Sequence, residues 1–286
     1  MERYLDPRYD LPFKRIFGEH KHLCISLINS MLPLEENREV VSIEYETGEL
    51  VPESIDLKNT TVDIRCTDNY GRQFIVEMQM NWTESFKSQV LFNASKTYAR
   101  LLESGQKYKA LNIVYSINFV NDIIYHSPKM QDKYYHHYGI ADLQDVENRM
   151  YGMEFVFIEL PKFKPHSRSA RKLHELWLRF LTEVNGNTDE VSAELLSDEN
   201  IREAVQYSET GAYSKSQLLA YQKMKMIVMD ECSRMSDSEE KGIAKGIVEE
   251  RERIAVNALK SGMSPEDVGK LTGMSPEEID RLNDGL

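Results

Sequence analysis

Two acids and an amide, Asp63, Glu77 and Gln79, fall in the stretch VDIRCTDNYGRQFIVEMQM, residues 62 to 80. Their spacing decides whether they can act together. DNYGR reads as a tight turn: Asp68 opens a type I turn over Asn69 and Tyr70, and Gly71 takes the left-handed position of a three-residue hairpin loop. That loop pairs Asp68 with Arg72, so counting outward in twos sets Arg65 against Ile75 and Asp63 against Glu77 on one face, with Gln79 one step further along. Directly opposed carboxylates have Cβ atoms roughly 4.5–5.5 Å apart, and like charges there destabilise a sheet. Either one of them holds a proton or a cation lies between them. Hard divalent ions take one or two carboxylates and fill their other positions with water and substrate phosphate. Such an ion lowers the pKa of water and stabilises charge on a phosphodiester. The spacing therefore points to metal-assisted phosphodiester hydrolysis. The same interval also suits a structural pair, with Asp63 meeting Arg65 or another base on a solvated sheet surface.

The elements that must position these groups follow from periodicity. DLPFKRIFGEHKHLCISLINSML spaces Phe13, Ile16, Phe17, Leu23, Ile28 and Leu32 as one or two helices ending at Pro33, with Asp10 before Pro12 as a start signal. VVSIEYE (40 to 46) alternates as a strand does, and the quoted hairpin adds two more. Its second face, Val62, Ile64, Cys66, Phe74, Val76, Met78 and Met80, is apolar and should pack on the core. From Glu84 to about Glu103, Leu91, Ala94, Tyr98, Leu101 and Leu102 predict an amphipathic helix stopped at Gly105. ALNIVYSINFV (110 to 120) predicts a buried strand, MEFVFIEL (153 to 160) a further one, and 168 to 184 a helix starting near Ser167. The stretch YHSPKMQDKYYHHYGIADLQDVENRM between those two strands predicts an irregular excursion, with His126, His136 and His137 on its surface. The order is α-β-β-β-α-β. Beyond residue 186 the chain predicts helices, ending in the repeat GMSPEDVGKL and GMSPEEIDRL, whose Ser264 and Ser275 open capping boxes.

The chain has 286 residues, 41% hydrophobic and 29% charged, enough for a full core. Two regions are expected, 1–185 and 186–286. Its net charge of −12 is uneven: residues 1–185 hold 23 Lys and Arg against 26 Asp and Glu, and residues 186–286 hold 12 against 21. Acidity thus sits in the last third and leaves a DNA-binding surface on the first part possible. Cys24, Cys66 and Cys232 lack the spacing of a zinc knuckle or disulfide framework. No apolar run is long enough for a membrane span and MERYLDPRYD lacks a signal-peptide core, so a cytoplasmic protein is expected. No Walker loop, dinucleotide fingerprint or nucleophile elbow is present. The acidic terminal repeat suits protein interaction or a homo-oligomer through the C-terminal helices better than base reading.

With an acid on the second strand and E-x-Q on the third, this order resembles the PD-(D/E)XK nuclease fold, an α/β restriction-endonuclease-like αβββαβ core with a mixed sheet. YDLPFKRIFG, the hairpin, LLESGQKYKALNIVYSINFV, IELPKF and the TGMS-containing tail are more closely similar to the recombination-promoting nucleases, a family of transposase-like proteins. The resemblance covers nearly the whole chain. It implies a bacterial endonuclease that cleaves DNA with Mg²⁺ or Mn²⁺, with Asp63 and Glu77 as metal ligands. Gln79 stands where many such nucleases carry lysine; its amide can orient water but supplies no positive charge. Asp10 and Lys14 match the family's D-x-x-F-K opening, Asp10 as a further site acid or a helix cap, Lys14 as a phosphate contact or a partner of Asp10 or Glu19. Lys96 and Arg100, one turn apart on the next helix, are candidates for DNA contact or simply a solvated face. Gln79 and the acidic tail keep open a second reading, a nuclease fold that binds DNA or protein without turnover. No D-D-E triad is recognisable, so strand transfer is not expected.

Overall fold

A computed structural model describes residues 2–35, 37–46, 61–102, 107–165 and 172–283, with residues 61–63 and 110 described by their backbone alone. The expected helix stop at Gly105 and helix start near Ser167 lie outside the described residues. The chain opens with α1 (Asp10–Phe13), which runs into a π-helical turn at Lys14–Gly18, and then α2 (Lys21–Met31). Tyr9 is the residue that precedes α1, and Asp10 is its first helical residue rather than its cap.

The strands β1 (Ile43–Tyr45), β2 (Thr61–Asp68), β3 (Gln73–Gln79), β4 (Val114–Val120), β5 (Tyr135–Ala141) and β6 (Arg149–Glu159) form one mixed sheet in the order β1-β2-β3-β4-β6-β5. β3, β4 and β6 are mutually parallel, while β1, β2 and β5 join antiparallel. The predicted α-β-β-β-α-β order is therefore present, with α3 (Glu84–Arg100) connecting β3 to β4. The expectation of an irregular segment before β6 is overturned, because this stretch contains β5, paired along β6 with a bulge at Gly139/Ile140. The bulge and the largely exposed edge position remove the clean two-residue alternation that marks a strand.

Two layers cover the sheet. On one face Ile64, Cys66, Phe74, Val76, Met78, Ile117, Phe119, Val156 and Ile158 pack against α2, α4 (Lys172–Glu183) and α5 (Glu199–Ser208) in one apolar cluster. Of the apolar hairpin face expected from the sequence, Ile64, Cys66, Phe74, Val76 and Met78 pack here, Met80 lies instead with Leu5, Tyr9 and Tyr221, and the Val62 side chain is outside the described residues. Each fully buried large side chain there contributes roughly 1.5–3 kcal/mol. In the same layer Cys24 and Cys66 adjoin; the hydrogen bond between the thiols, together with burial, pushes the Cys66 thiol well up, so it stays protonated and inert. On the other face α3 lays Phe86, Val90, Ala94 and Thr97 on the strands, a stripe at helical spacing. Leu91 is 53% exposed, so the helix is rotated from the orientation its apolar residues suggest.

The hairpin turn forms as its residues predict. Gly71 N–H donates to the Asp68 carbonyl (3.0 Å), Asp68 N–H to the Arg72 carbonyl (3.0 Å), and the Asp68 carboxylate accepts from the Tyr70 and Arg72 amides. Gly71 has φ +77°, and a Cβ there would lie 2.5 Å from Asn112 Nδ2. Gly71→Ala should therefore cost about 1–2 kcal/mol, from left-handed strain plus displacement of the Asn112 amide, read as a lowered urea midpoint.

Contacts divide the chain into two compact units, Met1–Val228 and Met229–Leu286, with α6 (Lys215–Lys260) contributing to each. In the second, Ala255 of α6 packs with Val268 of α7 (Pro265–Thr272) and Ile279 of α8 (Pro276–Asn283). Both expected caps are present: Ser264 Oγ accepts from Asp267 N–H, and the Ser275 amide and hydroxyl exchange hydrogen bonds with Glu278. Among the described residues no helix is long and apolar enough to cross a membrane.

Candidate active site

The register that the turn sets places Asp63 directly opposite Glu77, and Thr61 opposite Gln79. On its other side Glu77 neighbours Asn118 of β4. Two-residue alternation puts Glu77 and Gln79 on the α3 face, and α3 seals it: Glu77 is 1% exposed and its Oε1 accepts from Asn93 Nδ2 at 3.3 Å. The amide of Asn118 is committed to Ser116 and to the Val156 carbonyl. A carboxylate so buried, opposite a second acid, keeps its charge only with strong compensation. Asn93 was invisible from the acid spacing; it lies 16 residues on, where only the placement of α3 brings it back.

Gln79 ends β3. Its Nε2 donates to the Asn81 carbonyl at 2.8 Å, and its own carbonyl accepts from Asn121 N–H at 2.9 Å. Asn121 is also held by Arg8, whose Nη1 donates to its Oδ1 at 2.7 Å while Nε and Nη2 grip Asp6. The segment before α1 is thereby tied to the carboxyl ends of β3 and β4, where open parallel sheets place their ligands. α1 packs on β2, and Asp10 at its start and Lys14 just past its end form an ion pair of 3.0 Å, each partly shielded from solvent. Lys14 thus takes Asp10 as its partner rather than Glu19.

Lys96 and Arg100 are exposed on α3. The helix runs from Phe86, beside Val120 at the carboxyl end of β4, to Ala94, beside Val114 at its amino end. Lys96 and Arg100 follow in that direction, so the structure does not gather them with Gln79.

A second group of charges closes the carboxyl end of β6. Glu159, 0% exposed, accepts from His136 Nε2 (2.7 Å) and the Ile124 amide (2.7 Å) and pairs with Lys162 (2.9 Å). Lys162 also donates to the carbonyls of Tyr125 and Met130. His136 is 3% exposed, which corrects its expected surface placement; β5 turns it inward onto Glu159. Burial lowers its pKa from the ordinary 6.5, against the pull of Glu159 and helped by Lys133 and Lys162. The unfolded ring thus binds a proton at higher pH than the folded one, and stability rises with pH between the two values. Urea midpoints should fall on acidification from about pH 7.5 to 5.5, and His136→Gln should flatten that slope.

Paired in register, an aspartate and a glutamate are the residue types a hard divalent cation takes, with water filling its other positions. Among the described residues no three His, Cys, Asp or Glu side chains come together as a metal cluster, and the Asp63 side chain is outside that description. A family model described as PD-(D/E)XK nuclease family transposase matches residues 7–238. No curated protein and no solved structure matches the chain.

Proposed function

Because this chain belongs to the PD-(D/E)XK nuclease family transposases, we propose that it is a divalent-metal-dependent endonuclease that hydrolyses the phosphodiester bonds of DNA. The observation that carries this reading is the register pairing of Asp63 with a buried Glu77. In it Asp63 and Glu77 hold Mg²⁺ or Mn²⁺, which when bound supplies positive charge to the phosphodiester and lowers the pKa of water. Gln79, fixed by Asn81 beside the acids, positions water with its amide. Lys14 supplies charge towards phosphate, and Asp10 holds its ammonium or serves as a further site acid. Lys96 and Arg100 contact the DNA backbone outside the site. Hydrolysis, not strand transfer, is the expected reaction.

Nicking of supercoiled plasmid tests this. Cleavage should require Mg²⁺ or Mn²⁺ and be lost in Asp63→Ala and Glu77→Gln. Equal activity in these variants would sink the assignment, DNA binding without cleavage under either metal would make the protein a nuclease-fold binding module, and joined products would establish strand transfer.

A further inference from the structure

Trp82 lies three residues beyond Gln79, its backbone N–H donating to Asp122 Oδ2 at 2.9 Å, so the loops after β3 and β4 hold it at the carboxyl end of the sheet. It is partly exposed, with Phe86 against it edge-on at 5.9 Å. Lys87, on the first turn of α3, places its ammonium 5.3 Å from the Trp82 ring centroid and 4.5 Å from that of Tyr125. Tyr125 continues the line, 4.8 Å from His136 and hydrogen-bonded through its hydroxyl to Tyr138.

The charges around this ridge are handled differently from that of Lys87. Arg8 is gripped by Asp6, Lys14 by Asp10 and Lys162 by Glu159, whereas among the described residues Lys87 has no carboxylate partner and is held by two aromatic faces. A cation–π arrangement keeps the full charge of the ammonium for an incoming anion. A partly exposed indole, a second ring and an unneutralised ammonium beside them are the parts that bind unpaired nucleic acid, the rings stacking on bases and the cation meeting phosphate. In a duplex the base faces are already stacked and cannot reach such a platform. With residues 1–185 holding more acids than bases, duplex binding through phosphates alone is also weakly supported.

We infer that Trp82, Lys87 and Tyr125 form a subsite that holds a single-stranded stretch of the nucleic acid next to Asp63 and Glu77. The inference rests on the nuclease reading and narrows its substrate to unpaired or locally opened strands.

Fluorescence anisotropy with a labelled oligothymidylate and a labelled duplex of the same length, both in EDTA, tests it without cleavage. The single strand should bind tighter than the duplex. Trp82→Leu and Lys87→Gln should each weaken single-strand binding roughly tenfold, while Trp82→Phe, which keeps an aromatic face, should retain most of it. Equal or tighter duplex binding, no binding of either probe, or an unchanged affinity in Trp82→Leu would overturn the subsite. Nicking is scored apart: a protein that cleaves but binds both probes equally loses the subsite alone, and one that prefers single strands without cleaving loses the endonuclease reading alone.

Discussion

Glu77→Gln is expected to lower metal-dependent nicking by about 10³-fold or more while leaving the protein as stable as before, or more so. The activity loss follows from removing one of the two proposed ligands to an ion that would contribute several kcal/mol to the transition state, where each 1.36 kcal/mol is tenfold in rate. Stability follows from the geometry. Gln has the shape of Glu, its side-chain carbonyl can still accept from Asn93, and the substitution replaces a buried acid paired in register with Asp63 by a neutral amide. Loss of function with no loss of stability is what separates a site pair from a structural one, whose disruption would lower the melting temperature. Thermal unfolding with and without Mg²⁺ gives the matching readout. The ion should raise the wild-type midpoint and leave that of Glu77→Gln in place, because a ligand stabilises only the state that binds it.

Glu159→Ala should have the largest effect on folding, about 3–5 kcal/mol, without touching the proposed ligands. The substitution leaves the ammonium of Lys162 buried with two carbonyls, and deprives His136 and the Ile124 amide of their acceptor. Glu159→Gln, which keeps an acceptor but not the charge, should fall between the two. Urea unfolding followed by the emission of the fully buried Trp177 measures all three; an alanine variant within 1 kcal/mol of wild type, on the order of the effect of an exposed pair, would show that this cluster is not holding the loop between β4 and β5.

What the sequence made legible was set by local chemistry. The turn residues determine a loop of three, the loop determines the register, and the register opposes Asp63 and Glu77; none of these steps needs a distant contact. β5 escaped because its edge position and bulge erase the alternation that marks a strand. His136 escaped with it, since its partner Glu159 stands 23 residues away and only pairing between β5 and β6 joins them. The ridge was hidden for the same reason, Tyr125 meeting Lys87 across the length of α3 and β4. The orientation of α3 is not legible from periodicity because Leu91, 53% exposed, is as apolar as Phe86 and Val90, which are buried with Ala94 and Thr97.

The three-residue turn also governs how relatives of this chain can vary in length. Residues added at Asn69 or Tyr70 lengthen an exposed loop, and where Asp68 and Arg72 still close it both strands stay in step, so the interval between the two acids can grow there. A single residue added between Asp63 and Asp68, or between Arg72 and Glu77, must either bulge out or turn everything beyond it to the opposite face, carrying one acid into the apolar layer. The count of residues separating the acids is thus elastic at one point and rigid at every other. A search for equivalent sites should allow gaps at the turn alone.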